Sequence, residues 1–257
     1  MVMTVLLAVG SGVLVGFTLG LIGGGGSVLA TPLLLYVVGL PDPHVAIGTG
    51  AVAVSTNAFM SFAGHARAGN VRWATAAIFA TTGVLGAALG SNLGKTFDGQ
   101  RLLILFALLM IAIGLLMPRP RREDAVEPHA LSTVTVAKTA GTGLAVGMLA
   151  GFFGIGGGFL IVPGLIFATG MPMINAVGTS LLAVGLFGLT TALNYADSGL
   201  VNWPVAVEYI AGGVAGGVLG MRAAIRLSAQ KSTLTRLFAG VVFTVAFYML
   251  WRSLRGT

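Results

Sequence analysis

Apolar runs near 3–22, 27–40, 45–64, 73–94 and 101–117 occupy the first part of the chain, separated by short polar or proline-bearing breaks. A charged, proline-containing stretch follows from Pro118 to about Val136. Further apolar runs then lie near 137–154, 158–170, 174–196, 203–221 and 234–251. A membrane-spanning helix needs about 20 largely apolar residues, and most of these runs reach that length. The pattern predicts an all-α polytopic membrane protein with about eight to ten membrane segments. The first 22 residues carry no basic n-region and no small-residue cleavage site follows them. They read as a retained helix rather than a signal peptide.

The order of long and short runs is the same on both sides of the charged stretch, and the residues agree with it. At a spacing of 131, Val15-Gly16 matches Val146-Gly147, Gly20 matches Gly151, Gly23 matches Gly154, Gly25-Gly26 matches Gly156-Gly157, and Pro32 matches Pro163. At a spacing of 130, Gly48-Thr49 matches Gly178-Thr179, Gly69 matches Gly199, Trp73 matches Trp203, and Gly83, Gly86 and Gly90 match Gly213, Gly216 and Gly220. The chain therefore divides into two tandem homologous repeats, residues 1–117 and 137–257, joined by a polar linker at 118–136. Internal duplication is common among secondary transporters, whose substrates bind near the midplane between repeats.

Run 27–40 has about 14 residues, short for a span and typical of a re-entrant or broken helix. If residues 3–40 cross once, the repeats are parallel; if they cross twice, the repeats are inverted. The inverted arrangement collects Arg67, Arg72, the basic residues of 119–138 and the Arg222–Arg236 loop on one side. It leaves Lys95, Arg101, Arg252 and Arg255 on the other. That separation fits the positive-inside rule better, so inverted repeats are expected.

Composition narrows the function classes. Of 257 residues, 56% are hydrophobic and 8% charged, and the net charge is +7. Soluble domains carry about 25% charged residues, so most of this protein's outer surface faces the lipid bilayer. The basic residues sit at segment ends, the pattern of loops retained on the cytoplasmic side. No basic patch lies outside the apolar framework, which argues against nucleic acid as a partner. The absence of cysteine excludes disulfides and thiol catalysis. Nothing in the sequence calls for a cofactor or a metal.

The most informative stretches are Leu19-Gly20-Leu21-Ile22-Gly23-Gly24-Gly25-Gly26-Ser27 and Ala150-Gly151-Phe152-Phe153-Gly154-Ile155-Gly156-Gly157-Gly158. Each glycine costs a helix about 1 kcal/mol relative to alanine, so adjacent glycines interrupt it. In lipid, a broken backbone survives only inside protein or beside a water-filled cavity. A helix restarting near Ser27 or Gly158 presents unpaired N–H groups and the positive end of its dipole, which bind anions without a charged side chain. Two such ends, one per repeat, would make a site at the repeat interface. Glycines at every fourth position, such as Gly12, Gly16 and Gly20 or Gly143, Gly147 and Gly151, read instead as helix-packing stripes. A nucleotide-binding glycine loop would need a strand-loop-helix context that is missing.

Small polar residues recur at equivalent places, as in Gly48-Thr49-Gly50 and Gly178-Thr179-Ser180, with Asn57 two turns further on in the first copy. Their hydroxyls and amides can bind oxyanion oxygens or join helix to helix. The candidate substrate-binding set is therefore Gly23, Gly24, Gly25, Gly26, Ser27, Thr49, Asn57, Gly154, Gly156, Gly157, Gly158, Thr179 and Ser180. Among ionisable groups near membrane depth, His65, Arg67, Arg72 and Glu208 are candidates for an entrance or for coupling. Each could equally be a solvated residue at the interface. His65 is the natural candidate for proton coupling, because its pKa lies nearest neutrality.

The chain resembles the sulfite exporter TauE/SafE family of membrane permeases. The resemblance rests on the paired glycine-rich motifs ending in Pro32 and Pro163, on Ala46-Ile47-Gly48-Thr49 and Ala176-Val177-Gly178-Thr179, and on Gly69-Asn70-Val71-Arg72-Trp73 and Gly199-Leu200-Val201-Asn202-Trp203. It implies a multi-pass cell-membrane transporter, in the inner membrane if the source is bacterial, for a small anionic substrate such as sulfite, a sulfonate or a related organosulfur anion. Arg72 becomes Asn202 in the second copy and His65 becomes Tyr195, so any role for either is one-sided. Proton or ion coupling and an oligomeric state are left open. The alternatives are a non-transporting partner or assembly factor of another membrane complex and, less well supported, an intramembrane enzyme. The three histidines, His44, His65 and His129, lie at segment ends or in the linker, not beside a nucleophile at membrane depth.

Overall fold

A computed structural model describes residues 2–116, 132–154 and 158–227, with scattered positions beyond Leu227. Most of the expected linker, residues Gly156 and Gly157, His129 and about two thirds of the run 234–251 lie outside the described residues. The helices are α1 (Val2–Ile22), α2 (Ala30–Leu33), α3 (Pro43–Arg67), α4 (Trp73–Thr96), α5 (Gly99–Leu116), α6 (Thr133–Phe153), α7 (Gly158–Thr169), α8 (Met173–Asp197) and α9 (Trp203–Leu227). A 3₁₀ segment, Gly23–Leu29, leads into α2, and a π-helical turn, Leu34–Val38, follows it. No strand occurs among the described residues. Helices α1, α3, α4, α6, α8 and α9 are long and apolar enough to cross a membrane, and shorter apolar helices lie at 27–38, 99–112 and 160–169. This is a multi-pass membrane protein.

Local chemistry sets the helix ends. Asp42 precedes Pro43 and its carboxylate accepts from the His44 N–H at 2.7 Å, so cap and N1 proline start α3 together. Ser132 caps α6 in the same way. Helices α3 and α8 close alike: Asn70 N–H reaches His65 O and Gly69 N–H reaches Ala66 O, while Leu200 N–H reaches Tyr195 O and Gly199 N–H reaches Ala196 O. These paired bonds are Schellman caps.

Lipid tails are as apolar as leucine, so helix pairing in a membrane depends on close backbone approach. The four-residue glycine stripes provide it. A Cβ on Gly12, Gly16 or Gly20 of α1 would overlap the carbonyls of Tyr209, Gly213 or Gly217 of α9. The same relation joins Gly143, Gly147 and Gly151 of α6 to Phe79, Gly83 and Ala87 of α4. Accordingly α1 packs most extensively on α9, and α4 on α6, with α3 against α8 between them.

These contacts also give the helix directions. Residue numbers rise together along α1 and α9 and along α6 and α4. They rise together along α3 and α9, where Thr49 meets Asn202, Asn57 meets Gly213 and Ser61 meets Gly217. Along α4 and α8, Arg72 meets Thr179, Gly83 meets Phe187 and Ser91 meets Asn194. Between α3 and α8 the order reverses, with Gly48 against Tyr195, and Ser55 against Gly188 and bonded to Gly185 O. So α1, α3 and α9 run one way, and α4, α6 and α8 the other. Helices that match in sequence, α1 with α6, α3 with α8 and α4 with α9, point in opposite directions. Since α1 and α3 are parallel, residues 23–38 carry the chain back between them, packing against α1 as they go.

The two ends of the bundle differ in charge. Arg67, Arg72, Arg222 and Arg226 are exposed at the end where α3 and α9 finish, and Lys138 is exposed in the part of α6 nearest that end. At the other end lie Asp42, Asp98, Asp197 and Glu208, with Lys95 and Arg101. Among the described residues the first end carries no acidic side chain.

Candidate functional site

Both glycine clusters break their helices, and they do so at matched positions. Helix α1 stops at Ile22 and Gly23 takes φ +69°; α6 stops at Phe153 and Gly154 takes φ +66°. A side chain there would place a Cβ in the disfavoured left-handed region. Each break docks on the other half. A Cβ on Gly23 would lie 2.7 Å from Ser180 Oγ and 2.9 Å from Val177 O in α8, and one on Gly154 would run into Ile47 of α3. Val177 and Ile47 are matched residues, one turn into α8 and α3.

The breaks do not come together as expected. Because α3 and α8 are antiparallel, their first turns lie at opposite ends of the pair, and so do Gly23 and Gly154. The segments that follow the breaks are what meet: the 3₁₀ segment Gly23–Leu29, which holds Gly24, Gly25, Gly26 and Ser27, packs along α7. Gly158 begins α7. Both breaks are closely packed, with Gly23, Gly24, Ser27, Val28 and Gly154 all buried.

Polar groups at the first break are engaged with protein. Gly24 N–H donates to Ser180 Oγ at 3.2 Å, Ser180 Oγ–H donates to Val177 O at 2.8 Å, and Ser27 Oγ–H donates to Gly24 O at 2.8 Å. The residues matching Ser27 and Ser180 are Gly158 and Gly50, which have no hydroxyl. The hydroxyl-bearing break is thus confined to the first copy.

Thr49 and Thr179 sit elsewhere. Thr49 Oγ1 accepts from Asn202 N–H at 2.9 Å and Thr179 Oγ1 from Arg72 N–H at 3.0 Å, each at the start of a helix in the other half. Both threonines are buried. These bonds join the halves, each hydroxyl oxygen being engaged by a backbone N–H of the other half.

His65 is not at an interface, contrary to one expectation for it: it is fully buried although it lies in the last turn of α3. Its Nε2 is 3.0 Å from Gly20 O and its Nδ1 is 3.3 Å from Asn70 Nδ2. A carbonyl only accepts, so Nε2 carries the proton and Nδ1 accepts from the amide, the neutral tautomer. The reason for burial is that α1 crosses over this turn on its way to the Gly23 break. Arg67 and Arg72 are exposed as an entrance would require, and Glu208 is half-buried on α9.

Asn57 is buried in the middle of α3 with both amide atoms unpartnered by any described residue. Two residues that the sequence does not single out, Ser61 one turn further along α3 and Tyr209 on α9, also have buried hydroxyls without a partner among the described residues. Ser61 had a usable signal, since it lies one helical turn after Asn57. Tyr209 had none, because its proximity depends on how α9 crosses α3.

Comparison with known proteins agrees with this architecture. The family model described as Sulfite exporter TauE/SafE matches residues 8–249. A probable membrane transporter protein of Xylella fastidiosa strain Temecula1 is 58% identical over 253 residues, covering 98% of this chain and 97% of the relative. The probable membrane transporter protein YunE of Bacillus subtilis strain 168 is 27% identical over 276 residues, covering 98% and 99%. One from Haemophilus influenzae is 29% identical over 215 residues, covering 81% and 79%. No solved structure matches. With glycine breaks at matched positions in two halves and a family match across nearly its whole length, this chain belongs to the TauE/SafE family of membrane transporters.

Proposed function

We propose that this protein is a secondary transporter for a small anion, of the class of sulfite, sulfonates and related organosulfur anions. The observation that carries this reading is the pair of matched breaks at Gly23 and Gly154, each seated on the opposite half. The halves are read as inverted-topology repeats, and the oppositely directed helix pairs support that. Transporters of this plan bind substrate where discontinuous helices meet and move one repeat against the other. Here the meeting place is the 3₁₀ segment Gly23–Leu29 against α7. Backbone N–H groups around Gly24–Ser27 and at the start of α7 would hold the oxyanion, with Ser180 as a further donor once it turns from Val177 O. The buried state of Gly23, Gly24 and Ser27 makes this an occluded conformation, so binding requires the halves to separate.

The charge distribution supports an orientation with the Arg67, Arg72, Arg222 and Arg226 end in the cytoplasm. That end would also concentrate anions at one mouth. His65 is held by Gly20 and Asn70, so it could serve proton coupling only by giving up one of those bonds. The same engagement argues against a hydrolase, in which a histidine must be free to act as base toward a nucleophile.

The test is solute flux in proteoliposomes containing only the purified protein. Saturable movement of sulfite, thiosulfate or sulfoacetate supports the reading. Wild-type protein that moves none of these, nor small carboxylates, and is not stabilised by any of them against heat would remove it.

A further inference from the structure

Along the face where α3 meets α9, several buried polar atoms have no partner among the described residues. Both amide atoms of Asn57, Oγ of Ser61 and the hydroxyl of Tyr209 accept or donate no hydrogen bond among the described residues. Their side chains are 1%, 4% and 0% exposed, so water outside the protein does not satisfy them either. Asn57 and Ser61 share a face of α3, one turn apart. The Asn57 amide lies against Gly213 and Ser61 Oγ against Gly217, on the stripe of α9 that Tyr209 begins one turn earlier.

The other half shows what this layer needs for packing alone. At a spacing of 130, Asn57 matches Phe187, Ser61 matches Thr191, and Tyr209 matches Phe79. Phe79 and Phe187 stack with ring centroids 6.1 Å apart, and the Phe187 ring packs on Gly83, the counterpart of Gly213. Two apolar rings fill the layer there, and the Thr191 hydroxyl is its buried polar atom without a partner among the described residues. In the first half an amide and a phenol stand in the same places, and buried polar groups in native proteins are nearly always satisfied. Against that single hydroxyl, the first half buries four unpartnered polar atoms along the face where α3 meets α9, which points to a ligand.

The chemistry selects an anion. Asn57 Nδ2, Ser61 Oγ and Tyr209 Oη each provide a donor, and neutral donors in a dry site stabilise an oxyanion strongly. A cation would call for carboxylates. The carboxylates among the described residues are Asp42, Asp98, Asp197 and Glu208. The first three lie at helix ends, and Glu208, next to Tyr209 in the chain, does not share its helix face. We propose that Asn57, Ser61 and Tyr209 form an oxyanion site near the middle of α3 and α9, present in one half only. It rests on the transporter reading above and adds a second, side-chain-built station to the backbone site at the breaks.

The test measures concentration-dependent flux of sulfite and sulfoacetate in proteoliposomes, with thermal melting of the same preparations with and without each anion. Ser61→Ala and Tyr209→Phe should raise KM at least tenfold and reduce the anion-dependent rise in Tm to what the backbone site at the breaks supplies. Their ligand-free Tm should hold or increase, because each removes a buried polar atom that lacks a protein partner. Thr191→Ala, at the matched place in the other half, should leave KM unchanged. The site is overturned if Ser61→Ala and Tyr209→Phe keep wild-type KM, or if Thr191→Ala raises KM as much as Ser61→Ala. Wild-type protein without flux or anion-dependent stabilisation would instead remove the transporter reading, and this site with it. Should a variant lose stability, its anion-dependent Tm shift still decides: a shift of full wild-type size overturns the site.

Discussion

The hydroxyl oxygen of Thr49 accepts a hydrogen bond from the backbone N–H of Asn202, 2.9 Å away, where α9 begins. Thr179 does the same for Arg72 at the start of α4, at 3.0 Å. Each half thus anchors a helix start of the other, which ties the breaks at Gly23 and Gly154 to helices held from across the molecule.

Replacing Thr49 or Thr179 by valine keeps the shape but leaves an N–H without its acceptor. Each change should cost about 1–2 kcal/mol, and because the two sites are far apart the double variant should lose about the sum. Serine should restore most of it. Unfolding of the purified protein in mixed micelles measures this, and wild-type stability in both valine variants would contradict the anchor role.

Along the glycine stripes the effect of alanine should depend on what the new methyl meets. Gly16→Ala and Gly147→Ala place a Cβ into backbone atoms of Gly213 and Gly83, so both should fold poorly or melt much earlier. Gly10→Ala and Gly141→Ala meet nothing within 4 Å. They should be neutral or gain up to about 1 kcal/mol from helix propensity. Yield and melting temperature of the four variants provide the comparison.

At the breaks the cost is conformational as well as steric. Gly23→Ala and Gly154→Ala force a Cβ into the left-handed region, at about 1–2 kcal/mol, and each adds a clash, with Val177 and Ser180 or with Ile47. Flux should fall further than stability in both variants, since the altered backbone leads into the segments proposed to hold the anion. Equal rates in wild type and both variants would argue against that assignment.

The chain has no cysteine, so a single engineered pair can be read without background. A Cβ on Gly188 would lie 3.1 Å from Ser55 Cβ, close enough for a disulfide after a small adjustment. Ser55→Cys with Gly188→Cys should cross-link under a lipid-soluble oxidant, holding the halves together after cleavage at a protease site inserted in 118–136. If transport moves one half against the other, the oxidised form should carry no flux and reduction should restore it.

Much of the architecture could be read from residues alone. The apolar runs, the duplication and the interruptions at Gly23 and Gly154 are local properties, because apolar length and glycine's tolerance of positive φ act within a single segment. What the tertiary structure decided concerns pairs of segments. It placed the two breaks at opposite ends of the α3–α8 pair, committed Thr49 and Thr179 to helix starts across the molecule, and buried His65 beneath α1. It also set Tyr209 on the α9 stripe whose next two turns, Gly213 and Gly217, meet Asn57 and Ser61. Helices in a membrane choose partners by the fit of two backbone surfaces rather than by escape from water. That fit belongs to neither helix alone, so no single stretch of sequence contains it.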